Sequence, residues 1–193
     1  GDGGDEMRAQ ALSRSAAEGA LAGVALAPLA ADELLDDLED LGAPAGYVVD
    51  VIAESDDDIL QKLGEAGVVA VAATGDPDAV RSALAGAAVE ALDQAFQNGA
   101  VVLAEGAAAQ ALGAWLLRDG VAPDGFAWLE NAVIELGPPP VGGEAMAVLD
   151  SHPDGLAIAV AEDAAVAFGP DGQVELWGSR RVAITLGAAW GGN

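Results

Sequence analysis

The sequence contains no cysteine, so disulfide bridges, thiol catalysis and cysteine-ligated metals are excluded. Aromatic residues make up only 4% of the chain. The core must therefore come from alanine, valine, leucine and glycine, and each buried side chain contributes less than a phenylalanine would. No apolar run reaches the roughly 18 residues that span a bilayer. We expect no transmembrane helix and no membrane insertion.

Basic residues are scarce. The chain has seven lysines and arginines and 32 acidic residues, which gives a formal net charge of -25. This charge repels nucleic acid and anionic membranes, so neither is expected as a partner. Two interpretations of the acidity stay open: a solvated surface suited to high salt, and a cation site built from some of the carboxylates. We expect cation association but no resident metal and no other cofactor. The sequence starts at Gly1, and a removed export signal or tag is compatible with it. The location, extracellular or cytoplasmic, stays undetermined.

The hydrophobic pattern alternates between strands and helices and changes character near residue 156. Strands are predicted at 21–29, 47–53, 67–73, 100–104 and 132–136, and helices at 7–20, 32–41, 55–63, 78–97 with a break at Gly86, 107–118 and 144–149. Short strands then follow at 156–160, 164–168, 174–177 and 181–186, with a hairpin turn at 169–172. The pattern predicts an α/β fold: a doubly wound, mostly parallel, flavodoxin-like sheet with antiparallel C-terminal strands. We expect one domain over residues 1–193, with extended tails at 1–6 and 187–193.

Two strand ends are candidates for a site, since sites in open α/β sheets form beyond the carboxyl ends of central strands. They are residues 74–78 and 104–108. At the second end a strand, a tight turn and a helix follow one another directly. This is the topology of a nucleophile elbow, in which free N–H groups at the start of the helix stabilise a developing oxyanion.

Four weak motifs in order resemble one peptidase family. Ala104-Glu105-Gly106-Ala107-Ala108-Ala109 aligns with its G-T-S-A-G-A elbow, and Thr74-Gly75-Asp76-Pro77 with its T-G-G-D loop. Ile134-Glu135-Leu136-Gly137 follows its strand ending in a D-Q-H-like motif, and residues 159–165 follow its G-I-D-E-D-T-A segment. Over residues 23–186 the chain thus resembles the cyanophycinase and dipeptidase E group of serine peptidases. That resemblance implies a class I glutamine amidotransferase-like fold.

The resemblance also implies a loss of chemistry, because the family's serine falls on Gly106 and its histidine on Gly137. Glycine offers neither a nucleophile nor a base, and losing one member of such a triad costs about 10⁴–10⁶ in turnover. Pro77 also lacks an N–H for the oxyanion hole. We expect a degenerate member without catalytic residues. The residues expected to line its vestigial site are Thr74, Gly75, Asp76, Glu105, Ala107 and Glu135.

Two functions stay open at this point. The first is a pseudoenzyme kept as a binding or self-assembling structural module, with a homo-oligomer, dimer or larger, as its form. The second is a hydrolase with altered chemistry, in which Asp76, Glu105 and Glu135 converge for carboxylate- or cation-assisted work.

Other polar and aromatic residues are weaker candidates. His152 is the only histidine, and it follows Ser151 directly. Because sequence neighbours rarely face each other as base and nucleophile, a polar turn is expected there. Trp115 is expected in the core on the elbow helix. Trp190 is the tryptophan most readily assigned to a partner chain.

Overall fold

The computed structural model describes residues 2–13, 20–26, 28–118, 124–162, 164–169, 173–178 and 181–191. Two compact units make up the chain: an N-terminal unit, Arg8–Ala108, and a C-terminal unit, Ala109–Asn193 together with Gly1–Met7. The helices are α1 Asp2–Leu12, α2 Pro28–Asp40, α3 Asp56–Gly64, α4 Pro77–Leu84, α5 Ala87–Gln97, α6 Ala107–Ala111 and α7 Gly143–Ser151. The strands are β1 Leu21–Ala25, β2 Tyr47–Asp50, β3 Val68–Ala73, β4 Val101–Gly106, β5 Gly113–Trp115, β6 Leu129–Leu136, β7 Leu156–Val160, β8 Ala164–Phe168, β9 Val174–Gly178 and β10 Val182–Leu186. Among the residues described, no helix combines the length and the apolarity needed to cross a bilayer.

The N-terminal unit is built on a parallel four-stranded sheet in the order β2-β1-β3-β4. Its inner strands β1 and β3 are almost entirely buried runs of alanine, valine and leucine, as strands covered on both faces require. Helix α2 packs its Leu34, Leu35 and Leu38 against Leu21 and Val68 of the sheet. The sheet therefore places the carboxyl ends of β3 and β4 side by side.

Two helix boundaries in this unit agree with the sequence. The Ser55 hydroxyl accepts a hydrogen bond from the Asp58 amide at 3.3 Å, which confirms Ser55 as the N-cap of α3. Three aspartates in the first turn of α3 add favourable charge at its positive end. Gly86, at φ +88°, separates α4 from α5, which confirms the predicted break.

The C-terminal unit carries a second sheet in the order β10-β7-β6-β5, in which β5, β6 and β7 run parallel and β10 pairs antiparallel with β7. Strands β8 and β9 form a separate antiparallel hairpin. Helix α7 packs on the sheet with Ala145, Val148 and Leu149 against Val133 and Ala157. The predicted fold class, a mostly parallel α/β sheet with antiparallel C-terminal strands, is confirmed. Residues 170–172 of the predicted hairpin turn lie outside the described residues, while the flanking Gly169 amide donates to the Gln173 carbonyl at 2.9 Å.

The helix predicted over 107–118 is wrong beyond Ala111. Residues 113–115 form β5, so Trp115 lies on a strand, paired with Val133 of β6. Gly113 interrupts the alanine-rich run. A Cβ there would lie 2.9 Å from the Ala132 carbonyl oxygen, so this close backbone approach requires glycine. Strand pairing overrides the helix propensity of the preceding alanines.

The expected extended tails at 1–6 and 187–193 are also corrected, for the residues that the structure describes there, 2–6 and 187–191. Residues 2–6 are the start of α1, where Asp5 and Glu6 place negative charge near the helix N-terminus and offset the cost of two glycines. At the other end, residues 188–191 form a 3₁₀ turn. The Trp190 indole N–H donates to the Asp154 carbonyl at 2.8 Å, which holds this turn against the loop before β7. Trp190 remains 57% exposed.

Candidate functional site

Gly106 occupies the elbow position at the end of β4, directly before α6. Its φ is +64°, in the left-handed region, and it lies opposite Ala73 in the pairing of β3 with β4. A Cβ built on Gly106 would overlap the Ala73 carbonyl oxygen, well inside the 3.0 Å that Cβ atoms essentially never cross, and would lie 3.3 Å from the carbonyl carbon. Both the backbone conformation and the space therefore require glycine.

The elbow thus keeps a tight left-handed turn, which glycine adopts without strain, but leaves no room for a side chain at the nucleophile position. The obstructing atom belongs to the backbone of β3, whose residue Ala73 is buried. It cannot rotate away as a flexible side chain would. Helix α6 spans only five residues, little more than one turn.

Glu105, the residue before the elbow, is bound by an arginine from α1. Arg8 Nε donates to Glu105 Oε1 at 2.8 Å and Nη2 donates to Oε2 at 2.9 Å, which makes a bidentate pair. Arg8 Nη1 also donates to Asp37 Oδ2 of α2 at 2.7 Å. The Arg8 side chain is only 19% exposed, and the hydrogen bond to Glu105 is the main cause that raises its pKa above the ordinary value. Glu105 is therefore an ion-pair partner within the N-terminal unit.

Sequence reasoning missed Arg8. The pair joins residues 97 positions apart, and no local pattern reports such a contact. The one signal in the sequence was the small number of basic residues: Arg8 is one of seven, against 32 acidic residues with which it could pair.

Thr74, Gly75 and Asp76 form the exposed loop between β3 and α4. Asp76 Oδ1 accepts from the Asp78 amide at 3.1 Å and caps α4, with Pro77 at the first helical position. This is the helix-start role that an aspartate before proline favours. Gly75, at φ +99°, turns the chain out of the strand. The residues of this loop therefore serve to begin helix α4.

Glu135 lies near the carboxyl end of β6 in the C-terminal unit. Its Oε2 accepts from the Gly142 amide at 2.6 Å, and Gly142 is the N-cap residue of α7. The carboxylate therefore closes the loop of residues 137–142 and binds the amide of the N-cap residue, as the glutamate of a capping box does.

Gly137, where the family's histidine falls, differs from Gly106. Its amide donates to the Val160 carbonyl at 2.9 Å. A Cβ built there would meet nothing within 4 Å. The histidine position is open space, whereas the serine position is closed by backbone.

Ser151 and His152 have different partners. Ser151 ends α7, and its hydroxyl donates to the Ala147 carbonyl one turn earlier at 3.1 Å. The His152 ring stacks on Trp115, with centroids 4.1 Å apart and planes 21° apart. These contacts give both residues a packing role at the end of α7, and they do not form a nucleophile–base pair.

The predicted site residues are divided between the units. Thr74, Gly75, Asp76, Glu105, Gly106 and the buried Ala107 belong to the N-terminal unit, and Glu135 and Gly137 to the C-terminal unit. In the part of the chain that the structure describes, no three acidic or histidine side chains form a group able to hold a metal ion.

An open cleft of about 340 Å³ lies in the C-terminal unit. It is lined by Ala114, Trp115, Asp124, Gly125, Ala127, Glu130 and Asn131. Ala127 and Asn131 have left-handed φ values of 54° and 55°. None of the residues predicted for the site lines this cleft.

Comparison with known proteins establishes the fold. No family model and no curated protein matches the sequence. Among solved structures, the chain is similar to a peptidase from an acI-B1 Actinobacterium, with a TM-score of 0.74 over 95% of this chain and 85% of that chain. The sequence identity is 14%, so the likeness concerns the α/β fold. The chain therefore has a peptidase-like fold.

Proposed function

We propose that this chain is a non-catalytic relative of the cyanophycinase and dipeptidase E group of serine peptidases, and that it serves as a binding or self-assembling structural module. The observation that carries the proposal is Gly106. Its position has no side chain, and a Cβ placed there would overlap the Ala73 carbonyl oxygen. Because the backbone of β3 fills the space beside Gly106, this position serves the packing of the N-terminal unit.

The carboxylates near the two strand ends support the same proposal. Asp76 caps α4, Glu105 is held by Arg8 through two hydrogen bonds, and Glu135 binds the Gly142 amide. Each of these three carboxylates accepts a hydrogen bond within the fold, so each has a structural role: a helix start, an ion pair or the closure of a loop.

The alternative, a hydrolase with carboxylate- or cation-assisted chemistry, needs Asp76, Glu105 and Glu135 to act together. It would also have to hold an acidic substrate against the charge of the chain, which needs a cation between them. The Arg8 pair already neutralises Glu105. We therefore favour the non-catalytic module.

The proposal is tested by turnover of a panel of fluorogenic peptide and amide substrates, with and without Mg²⁺, Ca²⁺ or Zn²⁺. We expect no hydrolysis above buffer for the wild type. Hydrolysis that disappears in Asp76→Asn, Glu105→Gln or Glu135→Gln would overturn the proposal in favour of the alternative. Asp40→Asn, which neutralises an exposed carboxylate at the end of α2, is the matched control.

A further inference from the structure

The C-terminal strands expose large apolar side chains. On the β8–β9 hairpin Phe168, Val174 and Leu176 are 40%, 51% and 60% exposed, and on β10 Ile184 and Leu186 are each 52% exposed. We call these five residues the apolar strand surface. Single exposed apolar residues are ordinary, but a group of five on neighbouring strands marks an interaction site.

Strand register explains how these side chains are grouped. Phe168 pairs directly with Val174, and Val166 with Leu176, so the four lie on one face of the hairpin. Ile184 and Leu186 are two positions apart and share one face of β10. Strand β8 contacts both β7 and β10. The hairpin therefore lies beside the strand that carries the other two residues.

Strand β10 is also the edge of its sheet. The order β10-β7-β6-β5 pairs it with β7 on one side, and no described strand pairs with its other side. Proteins usually protect such an edge with lysine, proline or a charge that points inward. The sequence of β10, Val-Ala-Ile-Thr-Leu, contains none of these. Because no described strand bonds to the outer backbone groups of β10, these groups are suited to pairing with another strand.

The distribution of charge favours a second copy of the chain over a charged partner. Residues 164–193 contain two acidic residues, Asp171 and Glu175, and two basic ones, Arg180 and Arg181, so their net charge is zero. The net charge of -25 is carried entirely by residues 1–163. A cationic partner would be drawn to those residues. The neutral, apolar strands suit a partner that is itself neutral and apolar at the contact, and a second copy brings the same surface.

The exposed area is of the size that a dimer needs. A large apolar side chain exposes about 150–200 Å² in full, so five that are about half exposed offer roughly 400–500 Å². A standard interface buries about 800 Å² on each partner, of which about 60% is apolar. The apolar strand surface therefore supplies about the apolar share of one such interface.

We propose that a second copy of this chain binds the apolar strand surface, with β10 of one copy beside β10 of the other about a two-fold axis. This inference rests on the proposed function, because it names the surface through which a self-assembling module would act. Pairing the two edges extends the sheet across the dimer and makes Ile184 and Leu186 of the two copies cross-strand neighbours. The hairpin residues Phe168, Val174 and Leu176, on the strands beside β10, complete the contact.

Matched lysine substitutions test the surface. Sedimentation velocity and light scattering over a range of concentrations should give a dimer for the wild type. Ile184→Lys and Leu176→Lys should each weaken the dimer at least 100-fold, since a buried lysine is costly at an apolar contact. Ile52→Lys makes the same change at a residue that is 71% exposed in the N-terminal unit. It should leave the dimer intact.

Cysteine cross-linking gives a second readout that does not depend on a disruptive variant. Because the chain has no cysteine, Thr185→Cys introduces one thiol per copy beside the centre of β10. Strands in a sheet lie about 4.8 Å apart, within the Cα separation that a disulfide spans. Mild oxidation should link Thr185→Cys into covalent dimers, and Ala53→Cys should stay unlinked.

The outcomes distinguish a failure of this inference from a failure of the proposed function. A wild type that is monomeric at all concentrations would overturn the inference. So would a dimer that both lysine variants leave unchanged and that Thr185→Cys fails to link. Peptide hydrolysis by the wild type would overturn the proposed function whatever the assembly state.

Discussion

Replacing Gly106 with alanine adds one methyl group at the elbow, and we expect this change to destabilise the N-terminal unit strongly. The methyl group would overlap the Ala73 carbonyl oxygen. It would also sit on a residue at φ +64°, a conformation that costs a non-glycine residue about 1–2 kcal/mol. The buried strand β3 provides the obstructing oxygen, so relief requires a backbone shift.

The expected magnitude follows from these two contributions. Overpacking in a closed site costs about 1–3 kcal/mol, and the left-handed backbone adds about 1–2 kcal/mol. The sum is about 2–5 kcal/mol, a large part of the about 5–15 kcal/mol that keeps a domain folded. Gly42→Ala separates the two contributions. Gly42 has φ +97° but a Cβ there would meet nothing within 4 Å, so only the backbone cost of about 1–2 kcal/mol applies.

Urea unfolding followed by far-ultraviolet circular dichroism measures both variants. Tryptophan fluorescence is a poorer probe, because all four tryptophans lie in the C-terminal unit. A loss of unfolding free energy for Gly106→Ala that is equal to or smaller than that for Gly42→Ala would refute the steric argument. We expect Gly106→Ser to be destabilised at least as much as Gly106→Ala and to gain no peptidase activity.

Three further predictions concern the N-terminal unit. Arg8→Ala leaves Glu105 and Asp37 unpaired, and urea unfolding should show a loss of about 1–3 kcal/mol; an unchanged midpoint would show that the pair contributes nothing. Burial is the main cause that raises the pKa of Tyr47 above 10.0, so its contribution to stability is complete below pH 10 and is lost as pH rises through the folded pKa. Since Tyr47 is the only tyrosine, phenolate absorbance should titrate at higher pH in the native protein than in urea, and equal midpoints would contradict this. Ser55→Ala should cost about 1 kcal/mol through loss of the α3 cap, measured beside Ser82→Ala at an exposed position within α4.

Local chemistry made much of the fold predictable. The Ser55 cap, the Gly86 break and the alternation of buried strands with amphipathic helices each depend on a few neighbouring residues. Propensity misled at residues 112–118, where helix-forming alanines precede a strand. The deciding fact there is the close approach of Gly113 to the Ala132 carbonyl, a tertiary contact that no local window contains.

The candidate site was predictable in position and less so in its contacts. The order of strand, turn and helix located Gly106 at the elbow, and its left-handed φ agrees with a tight turn there. The overlap with Ala73 depends on the register of β3 with β4. The pairing of Arg8 with Glu105 depends on where α1 packs. Both contacts join residues that are far apart in the sequence, so composition and motif spacing do not predict them.

The central claim is that the peptidase-like frame carries no reactive hydroxyl. Intact-protein mass spectrometry after incubation with a fluorophosphonate, which traps activated serine and threonine nucleophiles, tests this most directly. An active serine peptidase treated in parallel shows that the reagent is competent. We predict that the mass of this protein stays unchanged. A stoichiometric adduct on any serine or threonine, such as Thr74 at the end of β3, would contradict the account.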